Sequence, residues 1–193
     1  MNLVAAVSFF FGGSLFAVGA ALAQIGTAPL VAVNVTYLVG GVFFSLGGWF
    51  SILLAPAHDR AWRGAVVLFV GTLLFAVSLV AAFAQGLTPR QSDGWIWLPD
   101  ILGCVCFLVS GHLGMLEVGA GHIVIRPRLM DWWVVAVNQF GSVLFFLAGL
   151  AAFVRPATSQ TIDIALVNWG TFAGAVCFAI GGVIQAFDKP TSG

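Results

Sequence analysis

Apolar residues run almost unbroken through six stretches of the chain, and polar residues gather in the gaps between them. The stretches are roughly 3–23, 30–55, 64–85, 99–118, 133–154 and 163–186. Each is near the length of about 20 residues that a helix needs to cross the hydrocarbon core of a bilayer. The connectors 24–29, 56–60, 86–98, 119–131 and 155–160 hold the turn residues and nearly all of the charge. None is long enough for a second domain. Every proline lies in a connector or at a span end (Pro29, Pro56, Pro89, Pro99, Pro127, Pro156, Pro190), so no span is expected to be broken. The pattern predicts an all-α polytopic membrane protein: a single transmembrane domain over 1–193, with six helices as three helical hairpins.

Composition narrows the class. Of 193 residues, 61% are hydrophobic and 7% charged, with seven Lys+Arg against seven Asp+Glu. A soluble domain carries about 25% charged residues to clothe its surface. A soluble fold is therefore excluded. Nucleic acid is excluded as a partner, because the net charge is zero and no basic stripe exists to neutralise phosphates. Cys104, Cys106 and Cys177 lie in apolar runs and make no disulfide framework. The first stretch ends in Ala21-Leu22-Ala23, as a signal-peptidase site would, but no Lys or Arg precedes Arg60. Because the apolar run fills that whole segment, it is expected to be a retained helix.

Basic residues in short loops set orientation. Arg60, Arg63, Arg126, Arg128 and Lys189 fall on the side of the termini, against Arg90 and Arg155 on the other. Both termini are thus expected in the cytoplasm, with the protein in a bacterial inner membrane. The paired arginines Arg60/Arg63 and Arg126/Arg128 suit topology setting and contact with anionic lipid. Docking of a partner is their other reading.

Each span contains Gly-x-x-x-Phe: Gly12/Phe16, Gly40/Phe44, Gly71/Phe75, Gly103/Phe107, Gly141/Phe145 and Gly174/Phe178. Residues four apart share a helix face, so the glycine admits a neighbouring backbone while the ring fills the space beside it. Asn34 and Asn168 each stand six residues before their glycine, and Asp100 and Asn138 each stand three before theirs. A two-helix unit with such a core, preceded by Asn or Asp, resembles the small YrhK-type membrane domain of bacteria. The chain is similar to three such units in tandem, over about 1–57, 58–120 and 121–189. The resemblance implies architecture and lends no functional residues.

Ionisable groups at mid-bilayer cost about 2.5–3.5 kcal/mol or more, so each is a functional candidate. His112 is the one expected deep in a span, with Glu117 near the end of the same span and Asp100, Asp131 and Asp163 at other span ends. His112 and Glu117 are five apart and do not share a helix face. An interhelical hydrogen bond is the simpler expectation for His112, and likewise for Asn34, Asn138 and Asn168. A solute path lined by these groups is the alternative. No metal-ligand set, haem pair, nucleophile elbow or phosphate loop occurs, so neither a cofactor nor a catalytic residue is expected.

These features favour a non-catalytic membrane subunit, not an enzyme, that stabilises or regulates a larger envelope complex such as a lipid transporter. The alternative is a small stand-alone carrier or channel acting as an oligomer. The expected partners are membrane lipids together with another membrane protein or further copies of the chain.

Overall fold

The structure is a computed structural model, and it describes residues 2–187. The elements are α1 (Asn2–Ile25), α2 (Leu30–Leu54), α3 (Arg60–Ala81), α4 (Pro89–Ser92), a π-helical turn (Asp93–Trp97), α5 (Leu98–Val118), α6 (Met130–Ala151), β1 (Val154–Arg155), β2 (Gln160–Thr161) and α7 (Ile164–Phe187). Taking Pro89–Val118 as one helix, six are long and apolar enough to cross a membrane. Helix is the forced choice, since in lipid each backbone N–H and C=O needs a partner within the segment. The protein is an all-α polytopic membrane protein.

The helix ends follow local chemistry. Asp163 Oδ1 accepts the Leu166 N–H at 3.0 Å and starts α7. Thr88 and Gln91 form a reciprocal capping box around Pro89, which opens α4. This corrects the expected connector over 86–98. The capping box begins the helix about ten residues early, and the π-turn carries it unbroken into α5. Asp93 Oδ1 accepts the Val154 N–H at 2.9 Å, which ties that turn to the short antiparallel hairpin β1–β2. The hairpin replaces the plain loop expected at 155–160. Lys189 and Pro190 lie outside the described residues.

Successive spans lie side by side, and α7 returns to pack on α1, so the six form a closed ring in the order α1, α2, α3, α5, α6, α7. The Asn2 and Gln185 side chains bond each other at 2.9 Å across the closure. Chain direction alternates, which puts both ends of the described chain on one face, here called the terminal face; the other is the far face. The outer wall is apolar, with exposed Val18, Val42, Val80, Val109, Leu147 and Ile180, as a lipid-facing surface requires.

Within each hairpin the two Gly-x-x-x-Phe motifs interlock. A Cβ on Gly12 would sit 3.0 Å from the Phe44 ring, and one on Gly40 would sit 2.7 Å from the Phe16 ring. In the second hairpin Gly71 faces Phe107 at 2.9 Å and Gly103 faces Phe75 at 3.2 Å. In the third, Gly141 faces Phe178 and Gly174 faces Phe145, both at 3.3 Å, and each also meets the other glycine's carbonyl at 2.9 Å. The backbones thus touch where the side chain is missing, and each ring covers the partner's glycine.

All six rings then converge on the ring axis. Phe44, Phe107 and Phe178 form a closed triangle with centroids 5.4 to 6.1 Å apart. Phe16, Phe75 and Phe145 form a second layer, with Phe145 at 6.2 and 6.5 Å from the other two. Edge-on contacts of 5.3 Å between Phe16 and Phe44 and 5.0 Å between Phe75 and Phe107 join the layers. The result is an aromatic plug two rings thick that closes the centre of the bundle.

Candidate functional site

On either side of the plug the ring encloses space. The terminal-face cavity, ≈600 Å³ and more open, is lined by Asn2, Ser51, Glu117, Asp131, Asn138 and Gln185 among others. The far-face cavity, ≈250 Å³, reaches down to Phe16, Phe75 and Phe145 and is walled by Asn34, Tyr37, Thr72, Ser78, Trp97, Asp100, Cys104 and Thr171.

Asp100 is the chemical centre of the far-face cavity. The sequence places it at a span end, but the continuous helix through the π-turn sets it eleven residues inside the span that starts at Pro89. It stands seven residues from Phe107, or about 10 Å along the axis from the plug. Its carboxylate abuts Gly149 of α6, and no described residue hydrogen-bonds to it. Trp97, one turn earlier, donates its indole N–H to the Gly149 carbonyl at 2.9 Å, and the Cys104 thiol, one turn later, donates to Phe145 O at 3.4 Å. These two bonds fix the face of α5 that turns Asp100 inward. No Lys, Arg or His lines the cavity.

Asp100 and Asn138 share a spacing, each three residues before a glycine, but they lie on opposite sides of the plug. Helices α5 and α6 run in opposite directions, so stepping back three residues from the glycine moves toward opposite faces. Asp100 lines the far-face cavity and Asn138 the terminal-face cavity. The counterparts of Asp100 are Tyr37, three before Gly40, and Thr171, three before Gly174, on the helices that run the same way. All three line the far-face cavity. Phe9, Leu68 and Asn138 are the matching set on α1, α3 and α6, and all three line the other cavity. Sequence reasoning missed Tyr37 and Thr171. The signal was present in the spacing, once chain direction is included.

The remaining candidates fall into place around these cavities. Asn34 donates to the carbonyl of Ala82 at 2.9 Å, closing the end of α3, and lines the far-face cavity. Asn168 donates to Gln24 Oε1 at 3.1 Å, joining α7 to α1. Asn138 accepts from Ser142 through its backbone, while its side-chain oxygen is buried against Gly181 without a partner. His112 is a correction: it is exposed on the outer wall, with no hydrogen bond to a described residue, and lines neither cavity. Glu117 meets Arg60 at 3.9 Å at the terminal face, the only ion pair among the described residues, and Arg60 also donates to Leu116 O at 3.1 Å. Arg63, Arg126 and Arg128 are exposed on that face. Among the described residues no group of three or more His, Cys, Asp or Glu could hold a metal ion.

The glycines matter for a second expectation. Every glycine inside a described span except Gly94, in the π-helical turn, has an atom of a neighbouring element within 4 Å of where a Cβ would stand; Gly26, Gly86 and Gly121, which also have nothing near, lie in connecting segments. The small-residue faces are spent inside the ring. No glycine stripe is left on the outer wall for another protein.

Fold and cavity together define a multi-pass membrane protein with a carboxylate-bearing pocket at its centre. In sequence, part of the chain is similar to an adenosylcobinamide-GDP ribazoletransferase of Pseudomonas entomophila (strain L48), 40% identical over 85 residues. The match covers 44% of this chain and 33% of that enzyme's length. No family model matches the chain, and no solved structure matches it. The expectation that the chain is not an enzyme is overturned by this likeness to one. That expectation rested on the lack of a catalytic constellation, with every aspartate placed at a span end, whereas Asp100 lies in the wall of the central cavity.

Proposed function

We propose that this protein is a membrane-embedded enzyme that holds an amphiphilic substrate in the far-face cavity, with Asp100 as its acid–base group. The observation that carries the reading is the Asp100 carboxylate, set in the wall of a largely apolar central pocket and free of any hydrogen bond from a described residue. An ionised carboxylate in such surroundings is costly unless a ligand supplies the missing donor. Proton transfer from a substrate hydroxyl is the chemistry that this placement allows. The likeness to a transferase supports the enzyme class. The GDP-bearing molecule of that enzyme's name is not carried over, because no cationic side chain lines the cavity to meet its phosphates. A volume of ≈250 Å³ lies just below the usual range for ligand pockets of about 300–1,000 Å³, which suits the reacting end of an amphiphile.

Mass spectrometry of membrane extracts tests this. Cells expressing the wild-type chain should accumulate an amphiphile that cells expressing Asp100→Asn lack. Identical extracts, with both proteins folded by size exclusion, would overturn it.

The far face is read as periplasmic and the terminal face as cytoplasmic in a bacterial inner membrane, supported by Arg60, Arg63, Arg126 and Arg128 against Arg90 and Arg155. The three hairpins are read as copies of one two-helix unit of YrhK type, supported by the reciprocal Gly–Phe contacts. A second reading, a small carrier, is favoured by one observation: two cavities on a common axis, separated by a plug two rings thick. The accessory-subunit expectation loses its main support, since the glycine faces it needed are buried within the ring.

A further inference from the structure

We infer that the far-face cavity selects a cationic head group, an organic ammonium in the first instance, seated between Asp100 and the aromatic walls of Tyr37 and Trp97. The inference rests on the reading above that this cavity is the substrate site, and names the chemistry of the occupant. Three observations converge. Asp100 is the one acidic residue lining the cavity, and no basic residue there balances it. Its carboxylate has no hydrogen-bond donor among the described residues, although Trp97, Cys104 and Asn34 all satisfy theirs on backbone carbonyls. Aromatic faces line the rest of the pocket: Tyr37 and Trp97 beside Asp100, with Phe16 and Phe75 of the plug as its floor. A carboxylate within an aromatic enclosure is the combination that stabilises a desolvated cation, through charge and ring quadrupole together. An anionic head would meet Asp100 with like charge and no compensating donor.

The test compares benzyltrimethylammonium with neopentylbenzene, its neutral isostere, for binding to the full chain in nanodiscs, with the signal of empty nanodiscs subtracted. The cation should bind at least about tenfold tighter than the isostere, and Asp100→Asn should erase that preference while retaining the neutral compound. Equal binding of the two compounds, or tighter binding of the isostere, overturns the cation assignment and leaves the cavity as a ligand site. Binding of neither overturns both this inference and the function proposed above. The wild-type comparison needs no variant, so a poorly folded Asp100→Asn does not remove the test.

Discussion

The Phe44 and Phe178 rings meet nearly edge to face, 5.4 Å apart at 83°, although α2 and α7 are not neighbours in the helix ring. Their contact crosses the axis with α1 behind it, so the centre of the bundle is filled rather than open at that level. Removing one such ring tests the plug. Phe107, 2% exposed, touches both layers and lines both cavities. Phe107→Ala is expected to cost about 3–5 kcal/mol and to join the cavities. Thermal unfolding in detergent reads the first effect. Efflux of a small neutral solute from proteoliposomes, raised above wild type, reads the second.

The glycine contacts give a sharper comparison. A side chain at Gly174 would strike the Gly141 carbonyl, at 2.9 Å, before it met anything flexible. Gly174→Leu, and likewise Gly141→Leu, should destabilise by about 1–3 kcal/mol or more, because a backbone must move. Val109→Leu, on the exposed wall, should be tolerated. Equal melting temperatures for the two classes would dismiss the interlock.

Interhelical amides should matter modestly. Asn34→Ala removes the bond that closes α3 at Ala82 and should lower stability by about 0.6–2 kcal/mol. The same measurement on Asn168→Ala, which frees Gln24 from α7, should fall in that range. A loss above that range at either site would mean that the amide does more than bridge helices.

His112→Ala should change stability by less than about 0.5 kcal/mol, since the ring is exposed on the outer wall. It should also leave the product of the wild-type chain in membrane extracts intact. Loss of that product would return His112 to the candidate site.

Orientation is open to direct measurement. Reporter fusions after Arg63, Arg90 and Arg128 should read inside, outside and inside. An exported fusion at Arg63 or Arg128 would reverse the assignment of the faces.

The fold was legible because a bilayer leaves the chain few options. Six apolar runs near spanning length become helices, and glycines spaced four from phenylalanines become contacts whatever the details. What stayed hidden depended on three-dimensional sense. The stretch 86–98 holds Gly86, Pro89 and Gly94, with Pro99 directly after it, and so reads as a loop, yet the Thr88–Gln91 capping box and the π-turn make most of it helix. That error alone moved Asp100 from the rim to the interior. His112 was singled out for its depth, but depth along a helix does not say which way a side chain faces. Asp100 and Asn138 share a spacing, and only the direction of their helices separates them by the thickness of the plug.

The positions three before the glycine on α2, α5 and α7 carry a phenol, a carboxylate and a hydroxyl, in Tyr37, Asp100 and Thr171. The floor beneath them is phenylalanine throughout. The three corners above it are all different. A tetrahedral centre whose substituents engage acid, phenol and hydroxyl together does so in one enantiomer, and its mirror image reaches only two of the three. Three single-residue choices thus give the far-face cavity three chemically distinct corners, and with them the means to tell an occupant from its mirror image.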